Sequence, residues 1–140
     1  MKNYKLLHAS FDLETGISTV TIGTDLGEFT GETTCKDGDR ENMSQIFGCE
    51  VAELKAWRKY AKARAAVEGY KLKALKDFCA KMEKTRTFDS SAYWYKQLLI
   101  EMRDTKEKRN HWRLTVERIS QGIQRTIVAR ELGLKRLKRK

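Results

Sequence analysis

The sequence predicts an α+β fold, in which a small N-terminal antiparallel β-meander is followed by two long antiparallel α-helices that form an intersubunit helical bundle. Three observations predict this class. Residues 4–34 carry β-branched side chains in alternation and are divided by glycine turns. From residue 50 the apolar residues recur at helical spacing. The 140 residues include no proline that would break a long helix.

Residues 1–35 form the predicted meander. Its strands are expected at about Tyr4–Phe11, Ile17–Thr24 and Glu28–Thr34, with turns at Gly16 and Gly27 because glycine accepts the positive φ of a tight reversal. In the middle strand, alternation places the valine and isoleucine on one face and the threonines on the other. Three strands with one apolar face cannot bury that face by themselves, so we expect a helix or another chain behind the sheet.

The rest of the single predicted domain, residues 1–140, is helical. Residues 36–49 predict a polar linker, within which Ser44 caps a short helix that Gly48 ends. Residues 50–84 and 90–132 predict two helices, each on the order of 50–60 Å long. A sheet of about 30 residues cannot cover them, so the hairpin is expected to pair with another copy of itself. Residues 133–140 predict a basic tail.

Each predicted helix has one apolar seam that charged residues interrupt. Glu68 and Arg58 interrupt the first seam and Arg109 the second. A charge in a seam is costly unless it is paired, which leaves two interpretations. Glu68 pairs with Arg109 or with an arginine of another subunit, or the arginines hold an anionic ligand between helices. The apolar seam residues are Val51, Leu54, Ala61, Ala65, Leu72, Leu75, Cys79 and Met82, then Leu98, Met102, Thr105, Trp112, Val116, Ile119 and Ile123.

Four residues are predicted to bind such a ligand. Arg58 and Arg109 lie in the seams, and Arg113 follows Arg109 by four residues, so both project from one side of the helix. Arginine suits phosphate because its planar fork donates two hydrogen bonds at once. Phe88 lies in the predicted loop between the helices, where an aromatic ring can stack on a base.

Composition excludes several classes of protein. The first 50 residues hold 4 basic and 9 acidic residues, and residues 51–140 hold 25 basic and 10 acidic, so the positive field belongs to the helical half. The 3 cysteines form no metal-ligand spacing, and no catalytic or nucleotide-fold motif is present. No apolar run is long enough to cross a bilayer. We therefore expect a cytoplasmic protein that is not an enzyme and has no cofactor or metal.

The layout of the chain resembles that of phage Thoeris anti-defence proteins of the first type. The resemblance rests on a short sheet, whose turns lie in residues 11–16 (FDLETG) and 23–29 (GTDLGEF), on the two long helices, and on arginines within the helical seams. It implies a sponge in the host cytoplasm that binds cyclic ADP-ribose isomers and sequesters them uncleaved. It also implies dimers or higher, hexamer-like homo-oligomers, and in some members a separate site for cyclic trinucleotides.

Besides a purely structural helical assembly protein, two other classes of function remain open. The basic helical half would suit a protein that binds DNA or RNA, with an affinity that falls steeply with salt. A phage inhibitor that binds a host enzyme, as anti-CRISPR factors do, would instead present its surface to a protein partner. The sponge differs from both because it takes up a small ligand in stoichiometric amounts.

Overall fold

The computed structural model describes residues 5–12, 14–34 and 45–139, with helical side chains placed for residues 47–132. A three-stranded antiparallel sheet is followed by two long helices, so the predicted α+β class is confirmed. The elements are β1 (Lys5–Asp12), β2 (Ile17–Thr24), β3 (Gly27–Thr34), α1 (Gln45–Glu83) and α2 (Tyr93–Arg139).

The sheet has the order β1-β2-β3, as a meander requires. Val20 and Ile22 of β2 are buried on one face, at 2% and 0% exposure. On the other face the hydroxyls of Thr21 and Thr30 form a hydrogen bond of 2.8 Å between β2 and β3. The alternation predicted for the middle strand is confirmed, and its valine and isoleucine supply the apolar face that a helix must cover.

Both predicted turns contain a glycine with a positive φ. Gly16 has φ 71° and Gly27 has φ 109°, which are values that side chains with a Cβ rarely adopt. The first turn is also stabilised by Asp12, whose Oδ1 accepts a 2.9 Å hydrogen bond from the backbone N–H of Glu14. The turn positions predicted from glycine are therefore confirmed.

The N-terminal part of α1 covers the sheet at β2 and β3. Its backbone comes so close to Gly31 that a Cβ there would meet the carbonyl oxygen of Ala52 and lie 2.6 Å from the amide nitrogen of Ala56. Lys55 and Lys59 extend to β3, where their Nζ atoms donate to the backbone oxygens of residues 32 and 30 at 3.1 and 2.6 Å. The predicted helix behind the sheet is thus present, and its lysines occupy carbonyl groups of an edge strand.

The start of α1 differs from the prediction. The helix begins at Gln45 rather than at residue 50, and Gly48 lies inside it instead of ending a separate short helix. A Cβ at Gly48 would contact the hydroxyl of Ser18, so this glycine permits close packing on the sheet and does not stop the helix. Residues 36–44 of the predicted linker, including Ser44, lie outside the described residues.

The ends of α2 also differ from the prediction. The helix begins at Tyr93 and continues to Arg139, through most of the segment predicted as a basic tail. That segment contains leucine, lysine and arginine, which favour helices, and a single glycine is insufficient to stop them. The basic residues of this segment therefore belong to a helix and not to an extended tail.

The chain divides into two compact units, each described by itself. The sheet unit comprises Met1–Ala61 and Thr115–Lys140, and the hairpin unit comprises Lys62–Leu114. In both units α1 and α2 run antiparallel, and every seam residue named from the sequence is buried or half-buried.

No helix within the described ranges is both long enough and apolar enough to cross a membrane. The single-domain organisation stays a prediction.

Candidate functional site

The hairpin unit has charged residues inside its seam, where a helical pair ordinarily has apolar side chains. Glu68 on α1 is only 6% exposed, next to Leu72 at 2%. Arg109 on α2 is half-buried, and Thr105 one turn before it is 2% exposed. The sequence predicted these interruptions, and burial makes them unusual because Glu and Arg are almost never fully buried unless they are paired.

Glu68 has an ion-pair partner, but on its own helix. The Nη2 atom of Arg64 lies 3.5 Å from the Oε1 atom of Glu68, in an i,i+4 arrangement. The guanidinium of Arg64 also lies over the ring of Trp112 on α2, 5.6 Å from its centroid, which is a cation–π contact between the two helices. In the described part of the chain, the prediction that Glu68 pairs with Arg109 of the same chain is wrong. Glu68 pairs with Arg64 instead, because Arg64 lies one turn away on the same face of α1.

Arg109 is positioned by a glycine on the facing helix. A Cβ built on Gly69 would lie 3.8 Å from the Cδ atom of Arg109, so the bare backbone at this position leaves room for the arginine stem. The guanidinium is thereby held partly inside the hairpin, and its Nε atom is buried without a hydrogen-bond partner. Gly69 thus makes room in the seam for Arg109, whose Nε donor has no hydrogen-bond partner among the described residues.

Buried polar atoms of opposite character therefore lack hydrogen-bond partners in this part of the hairpin. They include Nε of Arg109, a donor, and Oε2 of Glu68, an acceptor. A buried donor or acceptor without a partner costs about 1–3 kcal/mol, and more when the group is charged. We call the residues Arg64, Glu68, Gly69, Arg109 and Trp112 the charged cluster. It combines two arginines and one glutamate with hydrogen-bonding capacity that the described residues do not satisfy.

The structure brings together only part of the predicted ligand set. Arg109 lies in the charged cluster, and Arg113 is exposed one turn further along α2. Phe88 lies at the hairpin turn, where its ring packs edge-on against Tyr95 with centroids 4.9 Å apart. Tyr95 precedes Arg109 by about 20 Å along α2. Phe88 and Arg109 therefore do not form one compact site within the chain.

Arg58 belongs to the sheet unit. It is half-buried, and its Nη1 atom donates a hydrogen bond of 3.5 Å to the hydroxyl of Ser120 on α2. This contact gives the charged seam residue a polar partner within its own unit. Its predicted contact with a ligand stays a prediction.

Sequence reasoning missed Arg64 and Gly69. The signal for Arg64 was its position four residues before a seam glutamate, which is the spacing of helical ion pairs. For Gly69 the signal was a glycine inside a long helical pattern, since such a glycine is costly and often marks close packing.

A second concave surface lies at the end of the hairpin unit. It has a volume of about 560 Å³, which falls within the range of small-molecule pockets. Tyr93 and Trp94 remain exposed here, at 77% and 44%. Its lining residues are Phe78, Met82, Tyr93, Trp94, Gln97, Leu98 and Glu101.

A hydrogen-bond network joins α1 and α2 near this end of the hairpin. Glu83 Oε1 accepts hydrogen bonds from the hydroxyl of Tyr95 at 2.8 Å and from the thiol of Cys79 at 3.3 Å. The hydrogen bond to Glu83 raises the pKa of Tyr95 to about 12, and the same bond lowers the pKa of Glu83. Burial, followed by Glu83, raises the pKa of the Cys79 thiol. The thiol is therefore protonated at neutral pH and suits a structural role.

Comparisons of the chain with protein-family models, with curated proteins and with solved structures found no match. Within residues 5–12, 14–34 and 45–139, no group of three His, Cys, Asp or Glu side chains could hold a metal ion. The charged cluster is therefore interpreted from its own geometry and chemistry.

Proposed function

We propose that the protein is a phage anti-defence sponge, which binds cyclic ADP-ribose-type signals in the host cytoplasm and sequesters them without cleavage. The observation that carries the proposal is the buried, unpartnered Nε of Arg109 in the charged cluster. A phosphate would supply the missing acceptor and balance the local positive charge. The resemblance of the sequence layout to Thoeris anti-defence proteins adds the ligand class.

The chemistry of the cluster suits an anion with an aromatic or ribosyl part. Arg109 and the exposed Arg113, one turn apart, can grip two phosphates from one helix side. Charge-assisted hydrogen bonds in a partly dry seam are stronger than those in water, which favours tight capture. Sequestration needs such tight binding. A nanomolar Kd corresponds to a binding free energy of about −12 kcal/mol.

The exposed rings at the end of the hairpin provide stacking surfaces for a base. Trp94 and Phe78 line the 560 Å³ pocket together with Gln97, whose amide both donates and accepts. Stacking of a base on an aromatic side chain contributes about 1–3 kcal/mol. Trp94 precedes Arg109 by about 22 Å along α2, so we propose this pocket as a separate site for a base and not as part of the phosphate site at Arg109.

The proposal includes homo-oligomers assembled through the helices. Along α1 of the hairpin unit, Val67, Tyr70 and Phe78 leave an apolar stripe exposed, at 41%, 77% and 47%. Their 3- and 8-residue separations keep them on one helix side. Burial of this stripe by a second copy would form the intersubunit bundle. Light scattering tests it, because Tyr70→Glu should reduce the oligomer mass whereas Tyr93→Glu should not.

Ligand binding to the purified full chain tests the sponge. Thermal melts and calorimetry would use a panel of cyclic ADP-ribose isomers and cyclic oligonucleotides, and a ligand at 1,000 times its Kd should add about 4 kcal/mol of stability. Arg109→Ala should abolish binding. The matched control is Arg103→Ala on the same helix, since Arg103 is exposed and its Nε atom lies 3.7 Å from Oδ1 of its neighbour Asp104.

Three outcomes separate the functions. A stoichiometric ligand that is recovered unchanged by mass spectrometry supports the sponge, whereas a cleaved product contradicts it. No ligand in the panel, together with salt-sensitive retention of labelled DNA or RNA, favours the nucleic-acid protein. That second candidate has its own support, since α2 carries the basic C-terminal residues on a continuous helix.

A further inference from the structure

Glu68 is an unexpected residue for a site that binds anions. Its side chain is nearly fully buried, at 6% exposure, and its Oε1 atom lies 3.5 Å from Nη2 of Arg64. Its Oε2 atom is buried and accepts no hydrogen bond. Only one carboxylate oxygen is therefore used within the chain, and the other is held in place without a partner.

A carboxylate oxygen beside arginines restricts the chemistry of what can bind there. A carboxylate accepts hydrogen bonds and repels phosphate, whereas the guanidinium of Arg109 donates and attracts it. A phosphodiester, which has no P–OH group, would satisfy Arg109 and leave Glu68 Oε2 unpartnered. A ligand that satisfies both atoms must carry a hydrogen-bond donor close to a phosphate.

The spacing of the cluster favours a ribose hydroxyl as that donor. Glu68 is the chain neighbour of Gly69, and the Cβ position of Gly69 is 3.8 Å from Cδ of Arg109. The carboxylate of Glu68 and the guanidinium of Arg109 thus belong to facing helices in the same part of the hairpin. In a nucleotide the ribose hydroxyls are separated from the phosphate by only a few bonds, and the base is farther away. Acidic side chains recognise ribose hydroxyls in dinucleotide-binding folds by the same chemistry.

We infer that Glu68 is a specificity residue that accepts a hydrogen bond from a ribose hydroxyl of the ligand, next to the phosphate bound by Arg109. The inference rests on the proposed function and narrows its ligands to ribonucleotides that keep this hydroxyl free. It also gives the buried carboxylate a role that an anion site alone would not require. Deoxy analogues are disfavoured because Glu68 would remain buried without a donor.

The test compares ligands that differ by one hydroxyl. Calorimetry on the full chain would use cyclic ADP-ribose and its 2′-deoxy and 3′-deoxy analogues, with inorganic pyrophosphate as the minimal anion. The wild-type protein should bind at least one deoxy analogue about 10- to 100-fold more weakly than the parent, as expected for a lost hydrogen bond to a charged group. Pyrophosphate should bind weaker still.

Two variants at Glu68 separate recognition from folding. Glu68→Gln keeps the shape but removes the charge, and Glu68→Met removes the acceptor, so the parent-to-deoxy ratio should fall progressively to within about 3-fold. Circular dichroism melts report whether each variant folds. Glu83→Gln is the matched control, because Glu83 lies on the same helix and accepts from Tyr95 and Cys79 instead. This control should leave the ratio unchanged.

The outcomes distinguish this inference from the proposed function. If cyclic ADP-ribose binds but the wild type discriminates less than twofold against both deoxy analogues, Glu68 recognition is overturned and the sponge stands. The same holds if discrimination persists unchanged in folded Glu68→Met. If the parent ligand and both analogues all fail to bind to the wild type, the proposed function and this inference fall together.

Discussion

The two units of the chain solve the same packing problem in opposite ways. In the sheet unit, α1 meets the sheet through small residues such as Ala52, Ala56 and Gly31, and its backbone approaches the strand closely. In the hairpin unit the facing helices meet through Glu68 and Arg109, with Gly69 making room for the arginine. The first interface is built from small side chains, and the second encloses charged ones.

The treatment of buried polar atoms shows what the difference means. Tyr60, 6% exposed in the sheet unit, donates a 2.7 Å hydrogen bond to Asp25. The buried hydroxyl of Thr33 there has no partner, but it is neutral and can rotate. In the hairpin unit the unpartnered atoms belong to charged groups. Natural proteins retain such costs mainly where function requires them, so the comparison supports the proposal that the hairpin unit binds the ligand.

The largest expected effect is a break in the close contact of the sheet unit. Gly31→Ala places a methyl group against the backbone of Ala52 and Ala56, and backbone atoms cannot rotate away as a side-chain end can. We expect a loss of about 3 kcal/mol in the free energy of unfolding, measured by urea denaturation.

A second glycine is the control for that substitution. Gly122 lies within α2, and a Cβ there would meet nothing within 4 Å. Gly122→Ala should therefore raise stability by about 0.5–1 kcal/mol through helix propensity alone. If Gly31→Ala were also neutral or stabilising, the sheet and α1 would not be packed as described.

The next largest effect on stability is expected at Tyr60, whose hydroxyl has a hydrogen-bond partner. Tyr60→Phe removes the hydroxyl that donates to Asp25 while it keeps the ring, which contacts Phe29 edge-on at 5.7 Å. We expect a loss of about 1.5–2 kcal/mol, because the bond is to a charged group and is part-buried. Tyr93→Phe is the control, since Tyr93 is 77% exposed, and chemical denaturation of both variants should show a loss only for Tyr60.

For Arg109 in the hairpin unit, whose Nε atom has no hydrogen-bond partner among the described residues, we expect a substitution to raise the free energy of unfolding and not to lower it. Arg109→Met keeps much of the side-chain volume and removes the donor that has no partner, so the ligand-free protein should gain about 1 kcal/mol. The same variant should lose ligand binding. Arg103→Met, at an exposed position, should change stability by less than about 0.5 kcal/mol. A marked loss of stability in Arg109→Met would show that this arginine is structural.

The fold was more predictable from sequence than the site. Alternation in β2, the turn glycines and the seam spacing are local signals, and they predicted strand positions and buried helix faces. The start of α1 was not predicted, because the role of Gly48 depends on the distant Ser18. The arginines were recognised as misplaced in the seam. Which acidic group each one meets depends on side-chain geometry, so Arg64 replaced Arg109 as the partner of Glu68.

The smallest expected effect is on the hydrogen-bond network of Tyr95, Glu83 and Cys79. This network also lies in the hairpin unit but differs from the charged cluster, because its polar groups have hydrogen-bond partners. The pKa of Tyr95 is raised to about 12 by its hydrogen bond to Glu83. A raised pKa means that the folded state holds the proton more tightly than the unfolded state. The stability that it contributes is therefore complete below pH 10 and is lost as pH rises from about 10 to about 12.

Absorbance at 295 nm measures this directly, because it follows the ionisation of the chain's 5 tyrosines. The wild type should show a step near pH 12 that Tyr95→Phe removes and that Tyr70→Phe retains. Glu83→Gln should shift the step to lower pH, since the carboxylate causes the rise in the pKa of Tyr95. At acid pH the signs reverse, because the pKa of Glu83 is lowered and its contribution is lost as pH falls below about 4.5. If Tyr95→Phe left the alkaline step in place, the hydrogen bond between α1 and α2 at this end of the hairpin would not exist in solution.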